Sequence, residues 1–268
     1  LMHFTERYGP WVIIAGATQG IGEQFSHQLA AKGLNILMIA RGQQGLDEVS
    51  QAVREQHKVE VETLAIDLSE IALSEKLAAF TQDKEVGLLV YNAVYSHIGE
   101  FLDDDLSSKL LTVDVNCKGP LTFLNHLLPA MKQRKRGGVV LMSSMSGWQG
   151  SALVATYAAT KAFNTVLAES LWEEMSHYGV DVITAVAGAT TTPNFNKNTP
   201  KDKAGSAFPM EPKAVVEEAL QALEKGQGPT RVTGKLNKVV CFLMQRVFTR
   251  RFAVKFISNA TRKLYSEK

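Results

Sequence analysis

In TYAATKAF, residues 156–163, a tyrosine stands four places before a lysine among small and apolar neighbours. On a helix, that spacing puts Tyr157 and Lys161 one turn apart on a single face. A phenol with a pKa near ~10 is a poor base at neutral pH, and an ammonium held beside it favours the ionised form. Many helices carry such a pair as a plain polar stripe. Chemistry therefore needs two further things, a reagent to work against and a scaffold that aims the pair.

The N-terminal region suggests the reagent. WVIIAGATQGIGEQFSHQLAAKG, residues 11–33, reads as a short buried strand, a glycine-rich turn and an amphipathic helix stopped by Gly33. Gly16, Gly20 and Gly22 lie between strand and helix, where missing side chains let the helix's first amides approach a pyrophosphate. The spacing is Gly-x-x-x-Gly-x-Gly rather than Gly-x-Gly-x-x-Gly. NAD sites place an acidic residue after the second strand, whereas NADP sites use a nearby arginine for the 2′-phosphate. Here LNILMIAR, residues 34–41, ends on Ala40 and Arg41, so NADP(H) is expected over NAD(H). The competing reading is that Arg41 only solvates a strand end.

The scaffold follows from repetition. VEVETLAIDLS (59–69), VGLLVYNA (86–93), GGVVLMSSM (137–145) and GVDVITAVAG (179–188) are strand-like, and each is followed by a helical or loop segment; LDEVSQAVREQH (46–57) is a polar-faced helix. Near-continuous apolar strands separated by helices imply one doubly wound α/β domain of the Rossmann type, a central parallel sheet with helices on both faces. The 268 residues, 45% hydrophobic and 21% charged, can bury a core of that size, and a formal charge of +2 gives no reason to expect nucleic acid as a partner. Cys117 and Cys241 are far apart and the six histidines are scattered, so no disulfide, zinc site or catalytic metal is expected and a reducing cytoplasm fits. No leader signature opens the chain, and Leu1 before Met2 reads as an expression scar.

In order and spacing, Gly16-x-x-x-Gly20-x-Gly22, Asn92-Ala93, Asn116 in DVNCKGP, Ser144 in LMSSMSG, Tyr157-x-x-x-Lys161 and AGATTTP (187–193) resemble the short-chain dehydrogenase/reductase family, to about Leu223. The N-terminal stretch looks most like the branch of hydroxysteroid dehydrogenases and long-chain ketoacyl reductases, bacterial 7β-hydroxysteroid dehydrogenases included. The resemblance implies that Tyr157 is the general acid or base and that Lys161 favours its phenolate and binds the nicotinamide ribose. It implies that Ser144 hydrogen-bonds the substrate oxygen and that Asn116 holds a water linking Lys161 to solvent. Cofactor contacts are implied for Thr18, Gln19 and Ile21 with the three glycines, for Arg41, Asp67, Leu68, Asn92 and Ala93, and for Gly188, Thr190 and Thr192. Assembly as a homodimer or homotetramer, through the helices bearing Asn116 and Tyr157, is implied in the same way.

Three departures touch the scaffold: Ala15 where threonine is usual, Tyr91 and Val94 in the Asn-Asn-Ala-Gly segment, and Ala187 for a proline. Removing threonine at 15 should cost a hydrogen bond tying the turn to its neighbouring strand. Residues 193–212, rich in turn formers and without regular period, resemble a mobile segment that closes over substrate. Within it Phe195 and Phe208, with His97 after the fourth strand, are candidate substrate contacts; each is equally an ordinary loop residue. Residues 1–234 are thus expected to form the catalytic domain and 235–268 a basic amphipathic helical extension. The stretch from Lys235 to Lys263 contains no acidic residue. It could lie on an anionic membrane surface, close over the substrate, or pack on a partner subunit. The expected activity is NADPH-dependent, reversible reduction of a lipophilic ketone, a ketosteroid or 3-oxoacyl chain. The alternative is a low-turnover NADPH-binding scaffold or redox sensor.

Overall fold

Strands that are apolar on both faces must lie between two layers, and a computed structural model describing residues 3–265 shows that arrangement. The strands β1 (Trp11–Ala15), β2 (Asn35–Ala40), β3 (Val61–Ala65), β4 (Val86–Tyr91), β5 (Gly137–Ser144), β6 (Val180–Ala187) and β7 (Thr230–Val232) form one sheet in the order β3-β2-β1-β4-β5-β6-β7. All neighbours run parallel. The chain reverses direction across the sheet between β1 and β4, where a crevice opens beyond the strands' carboxyl ends.

The helices are α1 (Phe4–Tyr8), α2 (Gly20–Ala31), α3 (Gln43–His57), α4 (Leu73–Thr81), α5 (Leu106–Val113), α6 (Gly119–Arg134), α7 (Ala155–Ser176), α8 (Pro193–Asn198), α9 (Lys201–Ala204), α10 (Pro212–Glu224), α11 (Lys235–Phe242) and α12 (Arg250–Tyr265). One core layer joins Phe25, Leu29, Leu46, Val53, Val216 and Leu220 to the sheet, so α2, α3 and α10 share that face. Leu77, Phe123, Leu127, Met131 and Ala168 put α4, α6 and α7 on the other. The doubly wound single sheet expected from the strand pattern is the one observed.

Two expectations are corrected. β7, absent from the sequence reading, is three residues long and half-buried throughout, too short for a periodic signal. The 193–212 segment is not irregular. Thr192 caps α8, its hydroxyl accepting from Phe195 N at 3.2 Å with Pro193 in the first turn, and Pro200 precedes α9. Its two ends are pinned by Met210 N to Ala189 O and Thr191 N to Met210 O, both 2.9 Å. Most of the residues described after β7 are helical, in α11, a π-type turn over Leu243–Val247 and α12. Residues 1–2, with the reading of Leu1, and residues 266–268 of the extension lie outside the described residues.

Candidate active site

The crevice begins at the end of β1. Gly16 has φ of +79°, and a Cβ there would lie 2.7 Å from Ala93 Cα. Only glycine allows that turn to lie against the end of β4. Asn92 Nδ2 donates to Gly16 O at 2.9 Å, and Asn92 N donates to Ala15 O at 3.0 Å. The tie expected to be missing at Ala15 is made by the backbone: Gly16 N and Ala17 N both donate to Ile39 O, at 2.8 and 3.3 Å. Thr18, Gln19 and Ile21 complete the turn as α2 begins at Gly20, leaving first-turn amides without intrahelical acceptors.

The other expected cofactor residues gather around this turn. Thr192 lies against Gly20, Gly188 opens the loop after β6, and Thr190 Oγ1 donates to Gly188 O at 3.1 Å. After β3, the Asp67 carboxylate accepts from Ser69 N at 2.9 Å and Ser69 Oγ at 2.7 Å; the Ser69 N–H holds its pKa below the ordinary range, and Arg41 adds to that. Leu68 is buried beside it. Arg41 is exposed at the end of β2, and the start of α3 approaches Thr18. A glycine-lined turn, a helix N-terminus and a solvent-facing guanidinium fit a phosphorylated dinucleotide.

Tyr157 and Lys161 lie in the first two turns of α7. Lys161 is 4% exposed, with Nζ 5.7 Å from the Tyr157 ring centroid and donating to Met142 O at 2.9 Å. Burial pushes the Lys161 ammonium down to about 8. Burial also pushes the Tyr157 phenol up, while a hydrogen bond with Ser144 draws it back. Ser144 ends β5 and its Oγ accepts from Ser146 N at 3.2 Å. The following turn presses so close to α7 that a Cβ on Gly147 would lie 2.8 Å from Ala162 N. That contact holds the end of β5 against the tyrosine's helix.

Asn116 is fully buried in a wide π-type turn between α5 and α6. Its side chain is wholly engaged: Oδ1 accepts from Tyr95 N at 2.9 Å, and Nδ2 donates to Tyr95 O at 2.9 Å and Thr160 Oγ1 at 3.0 Å. This clamps the loop after β4 to α7. Only its carbonyl turns toward Asn164, whose Nδ2 donates to it at 3.1 Å. Tyr91 supports the same turn, its hydroxyl donating to Val115 O at 2.6 Å.

Sequence reasoning missed Asn164, Thr165 and Ser143. Ser143 Oγ donates to Lys161 O at 2.8 Å, and Thr165 Oγ1 donates to Ser143 Oγ at 2.8 Å. Asn164 Oδ1 is buried without a partner among the described residues. For Asn164 and Thr165 the available signal was the continuation of the Tyr157–Lys161 face by three and four residues, a polar stripe where core was due.

On the substrate side, His97 and Tyr157 line one small cavity with Phe101, Thr112 and Leu153. Phe195 is half-buried, whereas Phe208 is 70% exposed with φ of +46° and turns to solvent. The unexpected neighbour is Tyr265 of α12, close enough to raise the pKa of Tyr157. α12 is fastened over the site by Ala152 N donating to Ser258 Oγ at 3.0 Å, by a Ser151–Thr261 hydroxyl pair at 2.8 Å and by Arg250 on Trp148 O.

A dinucleotide cradle at the switch point of a parallel sheet, with a Tyr/Lys pair at its mouth, defines the class of nicotinamide-dependent oxidoreductases acting on CH–OH or C=O groups. The chain belongs to the short-chain dehydrogenase family, whose model it matches over residues 10–203. It is similar to a 7β-hydroxysteroid dehydrogenase of Clostridium sardiniense, 33% identical over 237 residues that are 88% of this chain and 90% of the relative. It also resembles a very-long-chain 3-oxoacyl-CoA reductase of Bos taurus, 33% identical over 75% of this chain and 68% of that one. A solved 7β-hydroxysteroid dehydrogenase structure superposes with a TM-score of 0.90 at 28% identity, covering 96% of this chain and 99% of its own.

Proposed function

We propose that the protein is an NADP(H)-dependent oxidoreductase that moves hydride reversibly between its cofactor and the carbonyl or secondary alcohol of a lipophilic substrate, a keto- or hydroxysteroid or a 3-oxoacyl chain. The observation that carries this reading is the buried Lys161 ammonium beside Tyr157, with Ser144 bonded to the same phenol. The relatives' substrates, a hydroxysteroid and a 3-oxoacyl thioester, supply its range.

When bound, the nicotinamide supplies or accepts the hydride. Ser144 Oγ donates to the substrate oxygen and stabilises charge growing on it, while Tyr157 Oη gives that oxygen its proton in reduction and takes it back in oxidation. Lys161 lowers the cost of the phenolate so formed. Protons reach Lys161 from solvent past the Asn116 carbonyl and the unpartnered Asn164 Oδ1, polar groups that a water can bridge. Gly16, Thr18, Gln19, Gly20, Ile21 and Gly22 hold the pyrophosphate; Asp67 and Leu68 flank the adenine; Asn92, Ala93, Gly188, Thr190 and Thr192 line the path to the nicotinamide. Arg41 takes the 2′-phosphate. His97 and Phe195 border the substrate.

Redox sensing is not favoured by the cysteines. Burial pushes both Cys117 and Cys241 up to about 11, so neither is a thiolate at neutral pH. Unpaired thiols also suit a reducing cytoplasm. Exposed Leu106 and Leu110 on α5, with Phe163 and Val166 on α7, support self-association through these helices as a dimer or tetramer. The deciding experiment is a panel of ketosteroids, bile acids and 3-oxoacyl thioesters, read by NADPH absorbance with Tyr157→Phe as control. Turnover in wild type that vanishes in Y157F is expected; binding of NADPH without turnover of any ketone would overturn the reading.

A further inference from the structure

The outward side of the C-terminal helices carries aromatic and cationic groups together. Phe248, just before α12, and Phe252 and Phe256 within it form a ladder with ring centroids 4.5 and 5.9 Å apart, and each is 39–49% exposed. Leu236, Val239 and Phe242 are likewise exposed on α11. Arg251 and Lys255 edge the ladder, Arg262 and Lys263 follow it, and all four are exposed. None of the four has an ion-pair partner among the described residues, whereas Lys238 and Arg231 nearby both meet Glu218. The roll of α12 is set from its other side: Ala253 and Ser258 are buried, and Ser258 and Thr261 bond Ala152 and Ser151. The ladder therefore cannot turn inward without breaking those bonds.

A second copy is a poor occupant for this face. Two-fold pairing lays a patch against itself, which would oppose four cations with the same four. The apolar face of α5 and α7 has no such obstacle. An anionic lipid surface satisfies both components, since headgroup charge meets the cations while phenylalanine rings enter the boundary between headgroups and acyl chains. No described helix is long and apolar enough to cross a membrane, so the contact is peripheral. We propose that the outward face of α11 and α12 docks the protein onto an anionic membrane surface, whatever substrate the site below it takes.

Flotation with two kinds of vesicle tests this, phosphatidylcholine alone and phosphatidylcholine with ~30% phosphatidylglycerol. Wild type should float with the anionic vesicles, stay down with the zwitterionic ones and be released at ~0.5 M salt. R251Q/K255Q should weaken partitioning roughly thirtyfold, about fivefold for each cation lost near the surface. F252S/F256S, changed only at exposed positions, should also bind weakly, and both variants should oxidise NADPH at the wild-type rate. Equal flotation with both vesicles, no flotation, or variants that bind like wild type would overturn the proposal. So would a fall in oligomer mass of F252S/F256S by light scattering, which would assign the face to self-association.

Discussion

The site is approached from two sides that are built differently. From below, the ends of β1, β4 and β5 present Gly16, Asn92 and Ser144 through backbone bonds and contacts too close for a Cβ. From above, α12 is attached through side chains, Ser258 and Thr261 on Ala152 and Ser151 and Arg250 on Trp148. A backbone-made surface leaves little room for substitution, whereas a few hydroxyl contacts can be exchanged at about 1 kcal/mol each. On the function proposed above, the chemistry lies in the first half and the choice of substrate in the second.

This division makes graded predictions. Tyr157→Phe should lower ketone-dependent NADPH oxidation by about a hundredfold to ten-thousandfold, with NADPH affinity by fluorescence titration unchanged. Arg41→Ala, also in the lower half, should raise the KM for NADPH roughly tenfold to a hundredfold and leave that for NADH alone, given the worth of a charged hydrogen bond. Equal effects on both cofactors would remove Arg41 from the 2′-phosphate.

The Lys161 ammonium, held down to about 8 by burial, is present below that pH and lost above it. The initial rate of ketone reduction should therefore fall as pH rises through that region, and Lys161→Arg, which keeps its charge, should remove that limb even if its rate is lower. Smallest of all, Ser258→Ala with Thr261→Ala should raise the KM for ketone a few-fold while the NADPH dissociation constant holds. If the cofactor constant moved as much as the ketone's, the two sides would not be separable in this way.

The same division governs what could be read from residues alone. β1, β2, β4, β5 and β6 are apolar on both faces, which only a strand between two helical layers requires, and they were legible for that reason. Gly16, Gly20 and Gly22 announce the cradle because their spacing is local. β7 escaped notice since three half-buried residues have no period. α8 and α9 were hidden in a segment dense with turn formers, whose caps have meaning only once the chain's entry angle is known.

The amino-acid sequence by itself determined the doubly wound layers, the dinucleotide turn, the helical face shared by Tyr157 and Lys161 and the absence of acid from 235–263. Those properties depend on neighbours within a turn or two of the chain. Tertiary structure alone decided that the Asn116 side chain clamps Tyr95 to Thr160, that Asn164 turns an unpaired oxygen inward, and that Tyr265 comes to rest near Tyr157. Each of these joins groups from separate elements, 44 residues apart in the case of Asn116 and Thr160. Short-range pattern encodes which way a helix or strand faces. Which faces meet is settled only when the whole sheet closes and most buried polar groups must find partners in other elements.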